Sequence, residues 1–154
     1  MAISASERRP DGTYANNFQD FTSKLRNVGL QDAELLKPIG YWGVSYWNQA
    51  IYSTPQALQL EEQIHNILFP NIEYRYTDYC LAHGVDNPSK DLDIYPRWRN
   101  AKCDVLCMWA HIHYGGDVFA TRDGNFHKAT KKAALEALCA GRILTPSGSV
   151  DYLN

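Results

Sequence analysis

Two aspartates carry the strongest chemical signal in this chain. Asp104 sits in the run Lys102-Cys103-Asp104-Val105-Leu106-Cys107-Met108-Trp109-Ala110. That run is apolar around most of a helical circumference, and such a helix is a buried one. An ionised carboxylate there is costly unless a cation, an arginine or a helix dipole faces it. A cap or ion pair and a metal ligand are both open readings. Asp123 follows Val118-Phe119-Ala120-Thr121 almost at once. In open α/β sheets ligands gather beyond the carboxyl ends of the strands, which is where Asp123 falls. An Asp-Gly turn without chemistry is the plainer account, and Asn125 suits the cap of a following helix.

The elements that must position these residues are legible in the last third of the chain. A helix is expected over 98–114, stopped by Gly115-Gly116. A buried strand follows over 117–121, then a turn over 122–125. A helix over 126–140 is closed by Gly141, and a second strand over 142–145 stops at Pro146. Helix, strand, helix, strand in that order predicts parallel strands joined by a crossover.

The first two thirds are less regular. Residues 1–15, with Arg8, Arg9, Pro10 and Gly12, are expected to be a flexible tail. The region 16–96 is expected to be mainly helical, belonging to the same domain as 97–154 or inserted in it. Asn16 or Asn17 caps a helix ending at Gly29, with Phe18, Phe21, Leu25 and Val28 on one face. A short helical turn over 32–37 stops at Pro38. The aromatic stretch 41–52 leans to helix. Ser53-Thr54-Pro55 starts a helix that runs to Pro70. A short strand over 72–74, a helix over 77–83 closed by Gly84, and a loop over 86–96 complete the series.

Composition sets the class. The chain has 154 residues, 45% of them apolar and 21% charged, as in an ordinary soluble domain. Its longest apolar run, 105–110, is far short of the ~20 residues of a membrane span, and no secretory leader is evident. The charge is uneven: residues 1–96 carry a net −5 and residues 97–142 a net +4. The basic part suits a polyanionic partner or is a set of solvated helix faces. Cys80, Cys103, Cys107 and Cys139 are expected to be reduced, in a cytoplasmic protein. Cys103, Cys107 and His111 share a helix with His113 nearby, but the first and third are about 12 Å apart along the axis, too far to share zinc. Cys139 and His127 are likewise too far apart for a nucleophile pair. Trp42, Trp47, Tyr41, Tyr46 and Tyr52 cluster in one segment. They are expected to be core or a protein surface, with base stacking a lesser reading.

Taken together, the segment 98–146 resembles the C-terminal half of PIN domains. In that family a helix-borne Asp precedes an apolar strand. The strand ends in Thr-x-Asp-x-(Asp or Asn)-Phe, and a last short strand ends near Thr-Pro. Here the corresponding residues are Asp104, then Thr121-Arg122-Asp123-Gly124-Asn125-Phe126, then Thr145-Pro146. The resemblance implies an α/β fold with a Rossmann-like, three-layer parallel sheet, incomplete in this chain. It also implies a cytoplasmic, Mg²⁺- or Mn²⁺-dependent endoribonuclease, often the toxin of a toxin–antitoxin pair. Asp104 and Asp123 would be catalytic and, with Asn125, bind the metal, while Thr121 would support the site. Hard cations of this kind prefer oxygen ligands, activate water and stabilise charge on a scissile phosphate. Arg122, Lys128, Lys131 and Lys132 would receive the RNA backbone. An antitoxin-like protein partner and a homodimer are further implications.

One part of the family pattern is not found. It opens with a buried strand ending in Asp, and no apolar strand ending in Asp lies near this N-terminus. Glu61 or Glu62 would be the second acid of the pattern, though an exposed acidic helix face explains both. The expectation is that an upstream piece of the domain lies outside this chain. A catalytically incomplete PIN-like module binding RNA or protein is the other reading.

Overall fold

A computed structural model describes residues 1–8, 11–15, 17–85 and 96–153. The chain runs α1 (Phe18–Asn27), α2 (Pro55–Leu68), α3 (Tyr76–Ala82), α4 (Pro96–His113), β1 (Val118–Ala120), α5 (Ala129–Ala137), β2 (Arg142–Leu144) and α6 (Pro146–Leu153), with 3₁₀ turns at Ala2–Ser6 and Trp47–Gln49. The architecture is mixed α/β, with six helices and one two-stranded parallel sheet among the described residues.

Helix α4 is the axis of the core, as its apolar circumference requires. Every residue over 101–111 is buried except Asp104. Helix α2 lies against it, locked by Trp109 Nε1, which donates to the Ala57 carbonyl at 2.9 Å. Trp98 Nε1 donates to the Glu73 carbonyl at 3.0 Å and ties the start of α4 to the segment before α3. Helix α5 joins the parallel strands and packs against α2 and β2, and the strands pair Phe119 with Ile143 and turn both into the core. Gly141 makes the tight entry into β2: its φ is +60°, and a Cβ there would lie 2.2 Å from the Asp117 carbonyl oxygen. That oxygen accepts the Arg142 N–H at 2.8 Å, so only glycine fits the approach.

Helix starts follow their capping residues. Asn17 accepts the Asp20 N–H at 3.0 Å, and Thr54 accepts the Ala57 N–H at 3.2 Å ahead of Pro55. The apolar face of α1 is nevertheless not buried; the Phe18 ring packs against Phe21 and Tyr46.

Several local expectations are corrected. Residues 2–6 are no loose tail: Ala2, Ile3, Ala5 and Ser6 are buried in a 3₁₀ turn packed on α4, and the Ala2 N–H bonds the Leu36 carbonyl. Residues 33–38 are not helical; an isolated parallel bridge pairs Ile39 with Ile51 instead. The aromatic stretch 41–52 is turns and one 3₁₀ turn, neither helix nor strand. Residues 72–74 form no strand, because the Ile72 carbonyl is taken by the His65 ring at 2.7 Å. Helix α5 begins at 129 rather than 126, since Phe126 and His127 bond back to Asp123 and Gly124 in a turn. Helix α6 was not expected; Thr145 caps it, its hydroxyl accepting the Gly148 N–H at 3.2 Å, and Pro146 opens it. The loop expected over 86–96 lies outside the described residues as far as 95, and Pro96 opens α4. All four cysteines are free, and only Cys139 is exposed. Among the described residues, no helix is long and apolar enough to cross a membrane.

Candidate functional site: a crowded carboxylate on the central helix

Asp104 is the one residue of the buried stretch of α4 that keeps access to the surface. Its carboxyl is pushed up to about 7 by burial first, then by the charges of Asp123 and Glu7. The fold thus brings Asp104, from the middle of α4, into the electrostatic neighbourhood of Asp123, from the turn after β1. Asp123 is exposed and its turn is fixed at both ends. Its N–H donates to Thr121 Oγ1 at 3.1 Å, and its Oδ1 accepts the Asn125 N–H at 2.8 Å. Thr121 therefore shapes the loop that presents Asp123, and its carbonyl is taken by the His127 ring at 2.9 Å.

Glu7 is the acidic neighbour that sequence reasoning missed. It follows the buried 3₁₀ turn directly, and although the residue is exposed its carboxyl end lies 3.9 Å from Cys107 Sγ. Burial pushes that carboxyl up, opposed by the Ser4 hydroxyl. The available signal was an acid placed straight after the run of small and apolar residues Ala2-Ile3-Ser4-Ala5-Ser6. Burial also pushes Cys107 up to about 12 and Cys103 well above the usual thiol range, so neither supplies a thiolate at neutral pH. Among the described residues, no three His, Cys, Asp or Glu side chains are gathered closely enough to ligate one ion.

Other expected site residues are engaged elsewhere. Asn125 donates its amide to the Leu68 carbonyl at 3.3 Å, and its Oδ1 receives Lys131 Nζ at 2.7 Å. Lys131 also bonds the Leu68 carbonyl. The pair satisfies the C-terminal end of α2, where unpaired carbonyls attract a cation, so Asn125 is not presented as a ligand nor Lys131 as a phosphate contact. Burial, with the charge of Lys128, pulls the Lys131 ammonium below its usual range. Lys131→Met is expected to cost about 1–3 kcal/mol in urea unfolding, by removing the donor to Asn125 Oδ1 and leaving the Leu68 carbonyl with the Asn125 amide in place of a charged donor. It should leave the salt dependence of RNA binding unchanged. Lys132 lies 3.8 Å from Glu136, which also accepts the Ile143 N–H. Arg122, next to Asp123 in the chain, and Lys128 stay exposed.

Glu61 is not an exposed helix acid. It is buried and bonded to Lys102 Nζ at 2.5 Å and to the Tyr74 hydroxyl at 2.5 Å, while Glu62 is exposed. His111 and His113 are likewise committed, the first to the Ala140 carbonyl at 2.8 Å and the second stacked on Trp109. Compared with family models, curated proteins and solved structures, the chain matches none.

Proposed function

We propose that the chain carries the carboxylate site of a PIN-type endoribonuclease, with Asp104 and Asp123 as the residues that hold Mg²⁺ or Mn²⁺. The observation that carries this is the frustration of Asp104: burial and two like charges oppose its ionisation, with no cationic side chain among the causes that set it. A divalent cation would relieve both. The donor set suits a hard ion that binds one or two carboxylates and keeps several of its waters. When bound, the ion supplies positive charge at the phosphate and activates water.

The chain's own residues supply the rest. Thr121 and the Asn125 N–H hold the loop of Asp123. Exposed Arg122 and Lys128 offer charge to a phosphate backbone. The parallel pair β1 and β2, joined through α5 and packed against α6, is the part of the α/β architecture that supports a PIN-like reading.

Calorimetric titration with Mn²⁺ tests the site. Saturable heat is expected in the parent chain and none in Asp104→Asn or Asp123→Asn, with circular dichroism unchanged. Cleavage of single-stranded RNA should fall to background in the same variants. Equal Mn²⁺ binding by the parent and Asp104→Asn would remove the assignment and leave a non-catalytic binding module.

A further inference from the structure

The segment 69–75, between α2 and α3, is tied down by three side-chain bonds. His65 of α2 donates from Nε2 to the Ile72 carbonyl at 2.7 Å, the Tyr74 hydroxyl donates to Glu61 of α2 at 2.5 Å, and Trp98 of α4 donates to the Glu73 carbonyl at 3.0 Å. A carbonyl oxygen can only accept, so Nε2 carries a proton. His65 Nδ1 is buried and has no hydrogen-bond partner among the described residues. The residue is 2% exposed, with the rings of Phe69 and Tyr74 centred 6.2 and 5.4 Å from its own. A second proton, on Nδ1, would place a charged N–H where nothing accepts it. The charges around the ring do not make up for this. Lys102 on α4 opposes a further positive charge. Glu61, one turn before His65, favours it, but its oxygens are already bonded to Lys102 and Tyr74. Glu62 favours it from an exposed position. The segment itself brings Tyr74, flanked by Glu73 and Arg75. From α5, Lys131 is spent on the Leu68 carbonyl and Asn125. Burial is the largest influence and holds the ring below its ordinary value of 6.5.

We propose that His65 is an acid-released latch on the segment 69–75: protonation drives its ring out of the core, and the Ile72 carbonyl is let go with it. Histidine offers here what an apolar residue of similar size does not, a tie that holds only while the ring is neutral. The closed segment keeps His65 with one ring proton. The open segment lets it take a second from water at its ordinary value. The stability that the latch gives is therefore present above pH 6.5 and lost as pH falls below it, with up to about tenfold more opening for each pH unit. That direction separates His65 from the crowded carboxyls. Asp104 and Glu7, whose values are raised, favour the closed fold as pH falls. Lys102 shares the sign of His65, so variants at position 65 decide between them. The latch is independent of the carboxylate site and needs no metal.

Hydrogen exchange of the full chain, read by mass spectrometry in chelator at pH 7.5 and pH 5.5, tests the latch, with times corrected for the intrinsic pH dependence of exchange. Peptides covering 69–75 are expected to exchange up to about tenfold faster at the lower pH, while those from the buried stretch 101–111 of α4 do not change. His65→Gln keeps a side-chain N–H for the Ile72 carbonyl and cannot be charged, so its segment should exchange alike at both pH values. Asp104→Asn should keep the acid response of the parent. The ring is also read directly in the parent by NMR: His65 should titrate below 6.5, and the backbone amides of Ile72 and Glu73 should shift with it. Equal exchange of the parent segment at both pH values, or an acid response that survives in His65→Gln, overturns the latch. So does a His65 ring that takes its second proton at or above 6.5 while the Ile72 and Glu73 amides stay in place, a result that holds even if His65→Gln does not fold.

Discussion

Asp104→Asn is expected to be more stable than the parent chain at pH 8 and nearly equal to it close to pH 4. The Asp104 carboxyl titrates at about 7 in the folded chain against an ordinary value of 3.8. Between those values the folded chain holds a proton that the unfolded chain has released. Stability therefore falls as pH rises through that window and is flat above it. About three pH units of displacement correspond to at most about 4 kcal/mol. Partial exposure of Asp104 brings this to roughly 2 kcal/mol. Asparagine keeps the shape and removes the charge, so the variant escapes the loss. Urea unfolding of both proteins in chelator, at the two pH values, measures it. Added Mn²⁺ should then reverse the order at pH 8: ion at a hundred times its dissociation constant stabilises the parent by about 2.7 kcal/mol and leaves the variant alone. Parallel pH profiles for the two proteins would mean that Asp104 is not strained and that the main support for the metal site is gone.

That strain was half visible in the sequence. An Asp inside an all-round apolar helix has to be costly, and Asp104 proves to be the one gap in the buried stretch of α4. Asp123 was legible by position, because a turn at the carboxyl end of a strand is where side chains converge. Glu7 was not, since a run of small and apolar residues ahead of an acid has no period to show that it folds inward as a 3₁₀ turn. The roles of Asn125 and Lys131 were hidden for a different reason. Their partner is the Leu68 carbonyl, more than fifty residues away, and a backbone acceptor leaves no mark in sequence.

Fold elements were readable where local chemistry decides them and unreadable where tertiary contact does. The starts of α1 and α2 follow from Asn17, Thr54 and Pro55, whose side chains act within one turn of chain. The parallel strands follow from helical and extended periods alternating around Gly115 and Gly141. The stretch 41–52 had neither period. Its conformation is set by long-range partners: the Ile39 to Ile51 bridge, Tyr46 donating to the Ala15 carbonyl at 3.1 Å, and Tyr41 against Trp98 and Lys102. Helix α6 does carry a local signal, a threonine before a proline, but the same pair equally ends a strand.

Glu61→Ala is expected to cost about 3–5 kcal/mol of folding stability, the largest loss of any single change considered. Glu61 on α2 and Lys102 on α4 are each 1% exposed and lie 2.5 Å apart. The second Glu61 oxygen accepts the Tyr74 hydroxyl. The ammonium is enclosed by rings, 4.3 Å from the centre of Tyr74, 4.9 Å from Tyr41 and 5.3 Å from Trp98. Burial pulls the Lys102 ammonium down, and Glu61 is what holds it up. Without Glu61 the ammonium is a buried charge with only ring faces around it, and it must either drag water in or give up its proton. The sign of the pH effect follows. A lysine whose folded value is depressed binds fewer protons folded than unfolded, so the variant should regain stability as pH rises towards the ordinary lysine range. The paired replacement Glu61→Leu with Lys102→Met removes both charges and should lose far less than either single change, because a buried ion pair is close to neutral against apolar residues of similar volume. Adding Tyr74→Phe removes the hydroxyl that the pair would otherwise leave unpartnered. Since Lys102 is half a turn before Asp104, the single variant should also weaken Mn²⁺ binding, while the triple variant, with α4 again held against α2, should restore it. Unfolding curves that place Glu61→Ala beside the parent would mean that Lys102 already sits neutral in its ring of aromatics, and that packing of the two helices needs no charge at all.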